Sequence, residues 1–173
     1  MDVQKLRDCI AHQTDPELFS GVVYLTQGDT VRLAEGYGMA IRSESIPNTV
    51  ATRFQMASGC KIFTSVAICQ LVERGMLAFD TPLRECVDVA FANYDPDITI
   101  HHLLTHSSGI PSYFDEENDD DYEALWQTLP MYRVRRPRDF LPLFPDEPMK
   151  FPPGTQFEYN DGGFILLGLV IES

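Results

Sequence analysis

At 173 residues the chain is long enough for one ordinary domain with a real core, and its formal charge of −13 is the wrong sign for gripping a phosphate backbone, so nucleic acid is an unpromising partner. No basic and apolar leader opens it, and its longest apolar run, Phe164 to Ile171, falls far short of the roughly 18 residues a membrane span needs. A soluble chain with no transmembrane segment is expected.

Val3 to His12 places Val3, Leu6, Cys9 and Ile10 on one side of a short helix. Gly21 to Thr26 and Thr30 to Glu35 are β-rich runs joined by Gln27-Gly28-Asp29, which predicts a hairpin. Gly36-Tyr37-Gly38 ends its second strand, and the polar stretch Arg42 to Asn48, containing Pro47, reads as a loop.

From Lys61 to Gly75 apolar residues cover most of a helix circumference, including Ile62, Phe63, Val66, Ile68, Cys69, Leu71 and Val72, so a buried helix stopping at Gly75 is expected. Asp97 to Thr105 reads as a short helix capped by Thr99, with a turn at His106 to Pro111. Ser112 to Pro153, rich in proline, acids and arginines, reads as an irregular, partly helical insertion. The final stretch from Gly163 has helix character but ends without a cap, and is expected to be a helix cut partway.

Cys9, Cys60, Cys69 and Cys86 make no C-x-x-C pair and no metal-ligand rhythm. They read as small packing hydrophobes in a reducing compartment, which points to the cytoplasm unless a leader has been removed.

The most informative pair is Ser58 and Lys61. Residues three apart on a helix lie about 5–6 Å apart at Cβ, near enough for an unprotonated amine to take the hydroxyl proton and leave a nucleophile. The plainer alternative is a helix N-cap serine with a surface lysine one turn on. The apolar helix favours the first reading: burial lowers an amine's pKa, and the positive end of a helix favours an alkoxide over an ammonium. Tyr159 follows the turn at Phe151 to Gly154. A phenol is a poor base in water, and its phenolate becomes accessible beside an ammonium, so Tyr159 has a chemical role only if it meets Lys61 in space.

Other constellations have blander readings. His101, His102 and His106 lack the glutamate of a zinc-peptidase helix, so no metal is expected. The acidic run Asp115 to Asp121 lacks the glycine of a calcium loop. Arg133, Arg135, Arg136 and Arg138 either greet a substrate carboxylate or, more simply, neutralise nearby acids. Ser107 and Ser108 lack the G-x-S-x-G elbow and read as turn residues.

Four blocks in order, F-x-x-A-S-x-x-K (Phe54 to Lys61), L-V-E-R-G (Leu71 to Gly75), I-T-I-x-x-L-L-T-H-x-S-G-I-P (Ile98 to Pro111) and F-x-P-G-x-x-F-x-Y-x-x-x-G (Phe151 to Gly163), give the chain a family likeness. It resembles the serine β-lactamase-like superfamily: class C β-lactamases, D-alanyl-D-alanine carboxypeptidase-type penicillin-binding proteins and their esterase relatives.

The resemblance implies an α+β fold, an antiparallel sheet flanked by helices with an inserted all-helical domain. Residues 1–51 would form the N-terminal helix and first strands, and residues 52–173 the helical domain, with its irregular insertion at 112–153. It implies acylation at Ser58, with Lys61 as proton partner, Tyr159 as the base and the Ser58 amide as one oxyanion donor. The substrate would be a small molecule or peptide with an acyl group, with no metal or organic cofactor.

The family's usual Y-x-N asparagine, which contacts lysine and substrate, is replaced by Asp161. An acid there is expected to hold Lys61 protonated and to repel a substrate carboxylate, which disfavours β-lactam turnover. The family's third motif and second oxyanion donor would lie beyond Ser173, so the chain alone is expected to be nearly inactive. A sensing module that is acylated without turnover, or does nothing, stands as the alternative.

Overall fold

The computed structural model describes residues 2–13, 19–89, 91–114 and 121–173. Its elements in chain order are α1 (Val3–Gln13), β1 (Gly21–Gln27), β2 (Thr30–Tyr37), β3 (Met39–Ile41), β4 (Ile46–Pro47), α2 (Lys61–Glu73), α3 (Leu83–Cys86), α4 (Ile100–Leu104), α5 (Leu125–Thr128) and α6 (Asp161–Glu172). The chain divides into two compact units, Met1–Met56 and Ala57–Ser173.

In the first unit β1 and β2 form an antiparallel hairpin, Gly21 opposite Tyr37 and Gln27 opposite Thr30, with an irregularity between Leu25 and Thr26. Gly28 reverses the chain at φ +57, a conformation that glycine adopts without a Cβ penalty. The stretch Arg42 to Asn48, read as a loop, instead supplies β4, which pairs with β3 in a second, smaller hairpin. Ser45 at φ 53 makes the reversal, and Pro47 fits because it pairs at the very end of the ladder, opposite Met39. The buried Asn48 side chain ties the unit together, its Nδ2 donating to Ser20 Oγ at 2.9 Å and to the Tyr37 carbonyl at 2.8 Å.

The second unit is helical. α2 ends as its glycine predicts: Gly75, at φ +69, donates to the Val72 carbonyl and Met76 to the Leu71 carbonyl, which satisfies two orphan acceptors of the last turn. α4 begins at Thr99, whose hydroxyl accepts from the His102 N–H while His102 Nδ1 accepts from the Thr99 N–H. The insertion holds short helical turns at Tyr122–Ala124, Met131–Arg133 and Pro137–Leu143 around α5. The predicted acidic loop lies, at residues 115–120, outside the described residues.

α6 is the centre of the core. Leu166, Leu167, Leu169 and Val170 bury against Ile68 of α2, Ile100 and Leu103 of α4, and Ile98 and Ile110 flanking α4. Gly109 brings two segments into contact: at φ +72 an added Cβ would stand 2.0 Å from the Phe151 carbonyl oxygen, so no larger residue fits.

The expected burial of α2 needs correction. Ile68 is fully buried, but Ile62, Phe63 and Val66 are exposed, Phe63 by 65%. The side of α2 turned to α6 is covered, and no described element of this unit covers the other side. An apolar circumference records what a helix can bury, not how many neighbours it has. The cysteines follow the same logic: Cys60 and Cys69 are exposed, as is Cys9, and only Cys86 is half-buried, so the packing role assigned to the first three does not hold here.

Leu166→Ala should destabilise the chain by about 2–5 kcal/mol through a core cavity, whereas Phe63→Ala should stay within about 0.5 kcal/mol. Urea denaturation followed by circular dichroism reads both, and equal losses would mean that the outer face of α2 is covered in solution.

Candidate active site

Ser58 lies in a tight 3-10 turn, Ala57–Cys60, that leads directly into α2, with Lys61 as the helix's first residue. Ala57 has φ 44, a left-handed conformation that a non-glycine residue adopts only when its surroundings hold it there. The strained residue thus immediately precedes the serine, a feature that no sequence signal announced.

The third element comes from the other end of the unit. Segment 150–160 is laced to the 106–109 turn by backbone hydrogen bonds: Lys150 N–H to the Gly109 carbonyl at 2.8 Å, Gly154 N–H to the Ser107 carbonyl at 2.8 Å and Glu158 N–H to the His106 carbonyl at 2.9 Å. Asn160 finishes the tether. Its N–H donates to His106 Nδ1 at 3.1 Å, its Nδ2 to the Ile110 carbonyl at 2.8 Å, and its Oδ1 accepts from the Gly163 N–H at 3.0 Å as the N-cap of α6. Tyr159 and Asp161 flank this residue, so the cap that starts α6 also aims both side chains at α2.

The four residues singled out by sequence meet at one groove. Tyr159 Oη donates to Ser58 Oγ at 2.6 Å, and Lys61 Nζ donates to the same oxygen at 3.2 Å. Asp161 Oδ1 is 2.5 Å from Lys61 Nζ. The Lys61 ammonium also stands over the Tyr159 ring at 5.0 Å and the Phe164 ring at 5.7 Å from their centroids. A cavity of about 360 Å³ opens here, lined by Ser58, Lys61, Tyr113, Asp161, Phe164 and Ile165 among others.

Electrostatics correct one sequence expectation. Burial pulls the Lys61 amine's pKa down, as anticipated, but hydrogen bonds to Asp161 and Tyr159 and the charge of Asp161 outweigh it, and the net direction is up. Lys61 is therefore an ammonium at neutral pH and not the free amine that would deprotonate Ser58 directly. The expected effect of an acid at position 161 on the lysine is what the geometry gives.

Two residues at the site escaped sequence reasoning. His106, at φ 54, packs its ring against Tyr159 at 4.6 Å and Phe164 at 5.1 Å between centroids. Burial foremost, and the Lys61 charge after it, hold this imidazole's pKa below its usual value, against the opposing pull of Asn160 and Asp161. Its sequence signal, a histidine in a Ser/Gly turn, is shared by ordinary turns. Tyr113 lines the cavity, with burial pushing its phenol's pKa up. It sits just past that turn, in the stretch read as insertion.

Two of the three histidines considered for metal have other partners: His102 serves the α4 cap and His106 the Asn160 amide. Among the described residues no group of three or more His, Cys, Asp or Glu side chains is placed to hold a metal ion. The arginine cluster does not line the cavity. The Arg135 and Arg136 backbone amides bind Asp139 Oδ2, and Arg135 Nε donates to the Tyr132 carbonyl.

An imidazole held neutral by the fold gives stability a definite pH sign. An unfolded histidine protonates near pH 6.5, and folded His106 and His102 both protonate below that. The unfolded chain thus binds more protons, and the stability these groups contribute above pH 6.5 is lost as pH falls toward their folded pKa values. Thermal melts should show Tm dropping between pH 7.5 and 5.5, less steeply in His106→Gln; an unchanged slope in the variant would contradict the neutral, buried imidazole.

Comparison with known proteins identifies the family and the fold. The β-lactamase family model matches residues 6–173. The crystal structure of a penicillin binding protein from Bacillus halodurans is 54% identical and superposes with a TM-score of 0.84, covering 97% of this chain and 49% of that one. The octameric penicillin-binding protein homologue from Pyrococcus abyssi is 32% identical with a TM-score of 0.74, covering 99% of this chain and 39% of its own. Penicillin-binding protein 4* of Bacillus subtilis is 27% identical over 89% of this chain and 32% of its own length. This chain spans from a third to a half of the length of these relatives. It belongs to the β-lactamase family and has the β-lactamase/transpeptidase-like fold, a serine, a lysine and a tyrosine meeting where its helical unit begins and its last helix is capped.

Proposed function

We propose that the whole protein is a serine hydrolase that forms an acyl-enzyme at Ser58 and hydrolyses an amide or ester bond. The observation that carries this reading is the convergence on Ser58 Oγ of two side chains, one three residues away and one 101 residues away in sequence.

Each group then has a task. The resting Tyr159 hydroxyl donates to Ser58 Oγ; the acylating form is the phenolate, balanced by the Lys61 ammonium, which accepts the Ser58 proton as Oγ bonds to the acyl carbon. It returns that proton to the leaving oxygen or nitrogen as the carbonyl re-forms, and afterwards takes a proton from the attacking water and passes it to Ser58 Oγ as the acyl–oxygen bond breaks and the acid leaves. Lys61 keeps its charge throughout and orients both oxygens. The Ser58 amide is the oxyanion donor this chain offers, a type of contact whose removal elsewhere costs about 3–4 kcal/mol of barrier.

A second reading is favoured by the Lys61–Asp161 ion pair. A lysine bound to an acid is less free to assist deacylation, which would suit a module that is acylated and stays so.

Intact-mass analysis of the whole protein after treatment with a fluorophosphonate or a penicillin separates these readings. A transient adduct marks a hydrolase and a lasting one a sensor. Ser58→Ala should abolish labelling, and Tyr159→Phe should slow it about 100-fold, the scale of general-base assistance. Labelling that survives Ser58→Ala would refute the nucleophile assignment.

A further inference from the structure

The groove around Ser58 carries its charge as an ion pair. Among the described residues its lining holds one cation, Lys61, and one anion, Asp161, and these two are paired at 2.5 Å. The other described residues of the lining are uncharged, with Tyr113, Phe164 and Ile165 supplying apolar wall.

The cation is already engaged when a carboxylate arrives. An ammonium has three N–H donors; that of Lys61 is paired with Asp161 and donates to Ser58 Oγ. The carboxylate of the pair is also the more accessible partner, 33% exposed against 18% for the lysine side chain. An anionic group approaching the groove meets Asp161 before Lys61. His106, behind the tyrosine, is held neutral and adds no positive charge, and the Arg135 side chain is engaged with the Tyr132 carbonyl. At longer range the net charge of −13 lowers the local concentration of anions further.

We propose that Asp161 makes this groove selective for uncharged acyl donors bearing an apolar group, and selective against donors that carry a carboxylate near the reacting bond. The inference rests on the acyl-transfer reading above and narrows its substrate class to neutral esters or amides. Asp161 acts in two ways: it occupies the ammonium that a carboxylate would seek, and it repels that carboxylate directly.

The test compares two activated esters of equal chain length on the whole protein, p-nitrophenyl butyrate and the p-nitrophenyl monoester of succinate. Acylation of Ser58 is followed by nitrophenolate release and intact mass. The neutral ester should react at least roughly tenfold faster, as close like-charge repulsion dictates. In Asp161→Asn the ratio should shrink several-fold, because the anionic ester gains more than the neutral one. The ratio cancels any change in Lys61 that alters both rates together. Equal rates in the wild type, or an unchanged ratio in Asp161→Asn, would overturn the inference while leaving the hydrolase reading intact. No adduct at Ser58 with either ester would overturn both.

Discussion

Asn160 is the residue on which the second unit's geometry depends. A buried amide is costly unless its donors and acceptor are used, and each direction of this one leads to a different segment: Ile110 through Nδ2, the first turn of α6 through Oδ1, and the His106 ring through the backbone N–H. These bonds set where α6 begins. Because Tyr159 and Asp161 are its immediate neighbours, they also decide that a phenol and a carboxylate arrive together at the start of α2. The apolar residues of α6, packed on Ile68, Ile100 and Leu103, hold the assembly closed.

The groups gathered there are set against one another. The Lys61 ammonium is desolvated, which works against its charge, and Asp161 restores that charge. His106 is pressed between aromatic rings and kept neutral with Nδ1 as acceptor, which places its remaining proton on Nε2. The positive φ of Ala57 puts local strain next to the serine, where the surrounding turn and helix fix it. Position 161 is thus electrostatic in its effect: an acid there keeps the desolvated lysine charged.

The sequence read well where local physics decides the outcome. The hairpin of β1 and β2, the Thr99 cap of α4 and the glycine stop of α2 follow from turn chemistry and capping, which act within a few residues. It read less well where packing decides. The β3–β4 hairpin has no alternation long enough to register, and α2, apolar on every side, was expected to be covered on every side. The exposed Phe63 and the exposed Cys69 show that composition cannot say which faces find neighbours.

By itself the sequence determined the family and singled out Ser58, Lys61 and Tyr159 as residues to look for in one place, because motif spacing along one helical turn and block order along the chain are one-dimensional facts. It also gave the sign of the effect of Asp161. Only the tertiary structure decided that Lys61 is an ammonium, since desolvation and the ion pair oppose each other and their balance depends on distance and burial. Only the tertiary structure brought in His106 and Tyr113 and the three-way tether at Asn160. Their roles come from contacts between segments some fifty residues apart, and side-chain convergence over such separations leaves no period or spacing in the chain for a reader to find.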